Sequence, residues 1–162
     1  MASHKDVKLP FGLRITDQYT ANGLVRSWPT HTVSLLDPDC DTTLVVPGGH
    51  WCRCFFHDST PRDRLSRTLA TLEDIQRILA FTAGLSSDDR LLVHCYAGIS
   101  RSTAVALGIL CQHRLSPRQA LAMVRQLRPI ASPNSHILTL FDAVLALDEA
   151  LSLLGNCRDA AD

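Results

Sequence analysis

What the 162-residue chain lacks first is net charge: 16 Lys and Arg stand against 16 Asp and Glu, and the formal net charge is zero with pI about 7.0. Nucleic acid and anionic membrane surfaces therefore gain no electrostatic footing as partners. Lysine is nearly missing, with only Lys5 and Lys8 beside 14 arginines, a bias that reads as codon usage before it reads as phosphate recognition. Apolar runs stop well short of the roughly 20 residues that cross a bilayer. Met1 to Pro10 holds no apolar stretch of the secretory kind, so residues 1–10 are expected to be a flexible leader, 157–162 a flexible tail, and the protein cytoplasmic.

A disulfide framework is excluded next. Six cysteines (40, 52, 54, 95, 111 and 157) in a domain of this size do not form a small stapled scaffold, and free thiols are expected. Cys52-Arg53-Cys54 has no second Cys/His pair at zinc spacing; it lies in an apolar strand-like run and is expected to pack in the core, with no metal bound.

What is present is enough apolar material for one core: 46% of residues are hydrophobic and 20% charged, which bounds the chain to a single domain, placed at 11–156. Short strands are predicted at Leu13 to Ile15, His31 to Leu36 and Trp51 to Phe56, with a further short run at Leu44 to Val46. Thr16 or Asp17 caps a brief helix ending near Trp28-Pro29, and Asp37-Pro38-Asp39 and Pro47-Gly48-Gly49 are turns. A helical period spans Pro61 to Leu85: Leu65, Leu69, Leu72, Ile75, Ile78 or Leu79, and Thr82 share one face. Arg62, Arg64 and Arg67 then lie on a solvated face, or reach acidic residues flanking a substrate.

Leu91 to Ala104, LLVHCYAGISRSTA, organises the rest. It reads as a buried strand, a tight loop and the start of an apolar helix from Thr103 to Arg114. Ser116-Pro117-Arg118-Gln119 is an N-cap, a proline at N1 and a capping-box glutamine, and Pro133-Asn134-Ser135 opens a last helix predicted to run to Gly155. The pattern is α/β, a small central, mostly parallel sheet flanked by helices. Its strand ends place the turns near residues 37 and 58 at the carboxyl edge, where open α/β sheets bind ligands.

The loop between Cys95 and Arg101 carries chemistry. Consecutive backbone N–H groups and a helix N-terminus can surround a tetrahedral oxyanion, with Gly98 allowing the turn. A helix N-terminus and a guanidinium favour a thiolate over a thiol, so Cys95 is the expected nucleophile. Arg101 can hold two phosphate oxygens in a planar fork, and Ser102 can donate a hydrogen bond to the sulfur. His94 is expected to order the loop.

His94-Cys95-x-x-Gly98-x-x-Arg101-Ser102 resembles the HCxxGxxR[S/T] signature of cysteine-dependent protein tyrosine and dual-specificity phosphatases, complete at every signature position. The resemblance extends from about Leu13 to Leu154 and points to the compact, bacterial-type class. It implies a dual-specificity-phosphatase-like fold and a phosphomonoester hydrolase, foremost a protein tyrosine phosphatase, working through a cysteinyl-phosphate without metal or cofactor. Tyr96, Ala97, Gly98, Ile99, Ser100 and Arg101 would then bind the substrate phosphate. Asp58, at a strand end 37 residues before the nucleophile, matches the general acid of that arrangement. Asp63, placed inside the helix, and the turn-capping Asp37, Asp39 and Asp41 are the alternatives, while Asn134 is expected to support the loop. A phosphorylated protein or peptide is the expected partner of a monomer. The other readings are a phosphate-binding module of weak activity, or a phosphatase of phosphoinositides or RNA 5′-phosphates. The neutral side chains of Tyr96, Ala97, Ile99 and Ser100 weigh against inositol lipids.

Overall fold

Four apolar segments pair side by side, all parallel, in the order β1-β4-β2-β3. They are β1 (Gly12–Thr16), β2 (His31–Leu36), β3 (His50–Phe55) and β4 (Arg90–His94). A computed structural model describes residues 7–40, 45–63 and 65–156. The expectations for residues 1–6, Asp41, Leu44, Arg64 and the 157–162 tail with Cys157 lie outside the described residues.

Strand periodicity sorts the side chains onto two faces. Leu13, Ile15, Val33, Leu35, Cys52, Cys54, Leu91 and Val93 point into the main core. Leu92 points the other way, onto Ala21 and Val25 of the segment containing α1 (Gln18–Leu24), which Asp17 caps through Thr20 N. The main core is covered by α2 (Leu72–Thr82), α3 (Arg101–Gln112), α4 (Pro117–Leu127), α5 (Ser135–Leu145) and α6 (Ala150–Asn156). Each large aliphatic side chain taken fully out of water there contributes about 1.5–3 kcal/mol.

The helix α3 is buried through its first ten residues, because it lies under the sheet with α4 and α5 packed behind it. Its approach to α5 is close: a Cβ on Gly108 would stand 2.2 Å from the Phe141 ring, so only glycine fits that crossing. The helix therefore arrives at the carboxyl edge of the sheet with a fixed position and direction.

Two helices differ most from their predicted extents, while α1 ends at Leu24, four residues short of Trp28. Residues 61–63 and 65–70 are not helical: Leu65 is 68% exposed, Asp63 caps a turn at Thr60 N, and α2 begins only after Thr71, whose side chain forms a capping box with Asp74. A local N-cap satisfies the orphan amides of a helix start, whereas the upstream leucines had no core to face, so periodicity alone extended the helix by about ten residues too many. The predicted last helix is two. Ala146 ends α5 in the left-handed region at φ 53°, and the buried Asp142 side chain accepts from Leu151 N and Ser152 N to start α6. Asp142 is the residue that joins them.

Candidate active site

The strand β4 ends at His94, and the next six residues form a loop whose carbonyls from Tyr96 to Ser100 accept hydrogen bonds from outside the loop. Tyr96 O accepts from Gln18 N, Ile99 O from Ser132 N, and Ser100 O from Asn134 N, at 2.9–3.1 Å. Arg128 serves two more, with Nε to Gly98 O at 2.9 Å and Nη2 to Ala97 O at 3.2 Å. Planar peptides place N–H opposite C=O, so donors on the outside turn the amides inward. Gly98 makes the turn at φ 66°, and a Cβ there would stand 2.5 Å from the backbone of Thr16 and Asp17. No other residue type satisfies both constraints.

Cys95, 2% exposed, sits at the base of this ring. Gly98 N donates to its Sγ at 3.3 Å, and Ser102 Oγ is 3.2 Å from the sulfur. The thiol donates to the hydroxyl while protonated; once the proton leaves, the hydroxyl donates back to the thiolate. His94 is held on the other face of the sheet: its Nε2 lies 2.6 Å from Ser34 Oγ, which also accepts from Trp51 Nε1. Burial pushes its pKa down to about 4, so it is a neutral prop under the loop and takes no part at the sulfur.

Arg101, at the first turn of α3, is 4% exposed. Its Nη1 donates to Asp37 Oδ1 and to Phe56 O, both at 2.8 Å, while its buried Nε has no hydrogen-bond partner among protein atoms. Nη1 is thus clamped, and the Nε–H and the Nη2 group are left to serve an anion at the cradle. Asp37, read from sequence as a turn cap, is therefore the counter-ion of Arg101.

Asp58 follows β3 by three residues. Its Oδ1 accepts from Ser100 Oγ at 2.7 Å and Asn134 Nδ2 at 2.8 Å, which sets the carboxyl on the rim of the loop. The segment that carries it is closed on itself, since His57 N donates to Thr68 O and Thr68 N to His57 Nδ1. A cleft of about 650 Å³ joins these groups, lined by Asp37, Asp58, Asp63, Leu65, Arg67 and the loop from Cys95 to Arg101 without Gly98. Arg67 thus faces the cleft, whereas Arg62 lines a separate hollow beside Ser135 and His136. Asp63 belongs to the cleft wall and not to a helix. Ser102 is reached by the sulfur and is itself fully buried.

Sequence reasoning missed Arg128. It stands just past α4, before Pro129, and nothing distinguishes it along the chain from the other surface arginines. Its 3.9 Å approach to Asp17, the α1 cap, links the loop to the opposite face of the sheet. Among the described residues no group of three or more metal-ligating side chains converges.

The family model for the catalytic domain of dual specificity phosphatases matches residues 50–144. A fission yeast relative, tyrosine-protein phosphatase yvh1 of Schizosaccharomyces pombe, is 29% identical over 90% of this chain and 47% of its own. The Drosophila melanogaster dual specificity protein phosphatase Mpk3 is 48% identical over 45% of this chain and 17% of its own. The chain spans less than half the length of these two curated relatives. Among solved structures, human DUSP28 superposes with a TM-score of 0.61 at 26% identity, covering 83% of this chain and 94% of that one.

Proposed function

Because the chain belongs to the dual-specificity phosphatase catalytic-domain family, we propose that it is a protein phosphatase that hydrolyses phosphotyrosine esters through a cysteinyl-phosphate, with residues 11–156 as the catalytic domain. The observation that carries this reading is the placing of Cys95 Sγ, 3.3 Å from Gly98 N and 3.2 Å from Ser102 Oγ, at the base of a ring of inward amides.

In the first step the Cys95 thiolate attacks phosphorus, an S–P bond forms, and the ester P–O bond breaks. The amides of the loop from Tyr96 to Arg101 and the Arg101 Nε–H hold the equatorial oxygens as charge spreads over them, where preorganised donors give the largest effect. Asp58 delivers its proton to the leaving oxygen. In the second step Asp58, now a carboxylate, accepts a proton from water as the water attacks phosphorus. The S–P bond then breaks, with Ser102 donating to the departing sulfur. Leu65, Tyr96, Ala97 and Ile99 supply apolar walls above the sulfur that suit a phenyl ring. A thiolate nucleophile also requires a reducing compartment, which favours the cytoplasm.

The test is turnover of p-nitrophenyl phosphate and of phosphotyrosine, phosphoserine and phosphothreonine peptides by wild type and Cys95→Ser. Wild type is expected to turn over the phosphotyrosine peptide, with the phosphorylated enzyme trapped by acid quench on the peptide containing Cys95. The Cys95→Ser protein should bind phosphopeptide without hydrolysing it, because the amides and Arg101 remain. Turnover by Cys95→Ser near that of wild type would overturn the mechanism, and equal rates on all three peptides would overturn the specificity.

A further inference from the structure

Between Asp58 and Thr68 the chain leaves the sheet, and two of the residues it carries there, Leu65 and Arg67, line the cleft. Residues 65–67 are exposed, and among the described residues they make no hydrogen bond or ion pair. Their place at the cleft is therefore set by the next residue that is fixed, Thr68. Both of its backbone groups are taken by His57: His57 N donates to Thr68 O at 2.8 Å, and Thr68 N donates to His57 Nδ1 at 3.0 Å. A neighbouring strand would offer Thr68 N a carbonyl. His57 O is already engaged, since it accepts from Ser59 N at 3.0 Å in the turn that presents Asp58. The imidazole supplies the missing acceptor. The ring is itself fixed: because Nδ1 accepts, the proton of the neutral imidazole sits on Nε2, which donates to Asp39 Oδ1 at 3.3 Å. Phe56, the residue before it, is wholly buried, with its N bonded to Leu36 O at 2.9 Å and its O to Arg101 Nη1 at 2.8 Å. The post that holds Thr68 is thus continuous with the sheet edge.

We propose that His57 is a positioning residue for the substrate: through Nδ1 it holds Leu65 and Arg67 at the cleft, where they form the wall against which the body of the phosphate ester packs. This role rests on the phosphatase reading above and belongs to a residue that touches neither the phosphate nor the leaving oxygen. Loss of the ring leaves Thr68 N without its acceptor and releases residues 65–67 from their one fixed neighbour. Asp58 keeps its partners in that case, because Ser100 and Asn134 hold its carboxyl, and the Cys95 loop keeps the donors that surround it. The cost therefore falls on contact with the ester's organic part and spares both the phosphate cradle and the acid.

The experiment compares the full chain as wild type, His57→Ala, His57→Asn and His57→Gln. It measures kcat/KM for a phosphotyrosine peptide and for an aryl phosphate whose phenol is strongly acidic, the inhibition constant of inorganic phosphate, and amide hydrogen exchange at Thr68. Asn sets an oxygen where Nδ1 stands, whereas Gln sets its amide near Nε2. In His57→Ala and His57→Gln, kcat/KM is expected to fall about tenfold on both esters alike, the worth of a leucine half covered by a ring. Inorganic phosphate should inhibit as before, and the Thr68 amide should exchange about tenfold faster or more. His57→Asn should stay within about threefold of wild type on every measure. A loss confined to the phosphotyrosine peptide would mean action through Asp58, and an equal weakening of phosphate would mean collapse of the cradle. Either result overturns the proposal, as does His57→Gln outperforming His57→Asn or an unchanged Thr68 exchange rate in His57→Ala. Wild type that turns over neither ester would overturn the phosphatase reading instead, and affinity for the phosphotyrosine peptide then replaces kcat/KM in the same comparison.

Discussion

Asn134 Nδ2 donates to Asp58 Oδ1 over 2.8 Å and to Ser59 O at 3.2 Å, while Asn134 Oδ1 accepts from Ile137 N at 3.0 Å. One side chain thus caps α5 and fixes the carboxyl on the rim of the cleft. The two halves of the amide can be separated by experiment.

Asn134→Ala is expected to cost about 1 kcal/mol of stability from the lost cap. It should also lower kcat on phosphotyrosine about tenfold, since a positioned acid contributes 10²- to 10⁴-fold and a loosened one less. Urea unfolding reads the first effect. Steady-state kinetics on phosphotyrosine and on an ester of a strongly acidic phenol reads the second, which should vanish on the latter substrate.

Asp58→Asn removes the proton itself. Hydrolysis of phosphotyrosine should fall by about 10²-fold or more, and that of an ester whose phenol leaves without protonation should change little. Asp63, which lines the same cleft and caps Thr60 N, provides the control: Asp63→Asn should affect both substrates alike. A larger selective loss in Asp63→Asn would move the acid role to that residue.

Arg128 supports the cradle from behind. Its loss leaves Ala97 O and Gly98 O without their donors, and hydrogen bonds from a charged donor contribute about 1.5–3 kcal/mol each. For Arg128→Ala, vanadate and inorganic phosphate, which occupy only the cradle, should bind about tenfold more weakly. Arg128→Lys, with one donor centre in place of a fork, should recover part of that loss.

The buried His94 makes stability pH-dependent with a definite sign. Its folded-state pKa is pushed down to about 4 by burial while an unfolded histidine titrates near 6.5, so the unfolded chain binds the extra proton. Its neutral, buried state is fully tolerated above about pH 6.5; stability is lost as pH falls from there toward 4 and the loss levels off below. Between pH 7.5 and pH 5 the contribution is about 2 kcal/mol. Denaturant unfolding at the two pH values should show that much less loss for His94→Gln than for wild type.

The strands and the loop that encloses Cys95 were legible along the chain because each rests on local chemistry. Apolar runs bounded by turns specify the strands; spacing within one loop places Cys95, Gly98, Arg101 and Ser102; and the capping box at Ser116 and Gln119 closes within four residues. Asp58 was legible only by resemblance, as a carboxylate at a strand end. What the tertiary structure decided are the partnerships between distant elements. Asp37 reads as a turn cap until Arg101, 64 residues away, supplies its counter-charge. Arg128 reads as a surface cation until the loop carbonyls of Ala97 and Gly98 come within its reach. Leu65 fits a helical stripe that has no core to pack against, and the break between α5 and α6 comes with the buried Asp142 side chain bonded to Leu151 N. Periodicity reports which residues can share a face, and only packing determines whether that face meets a core, a cleft or water. For the same reason Cys52 and Cys54, expected in the core, do pack there, because their face of β3 meets the helices that cover the sheet.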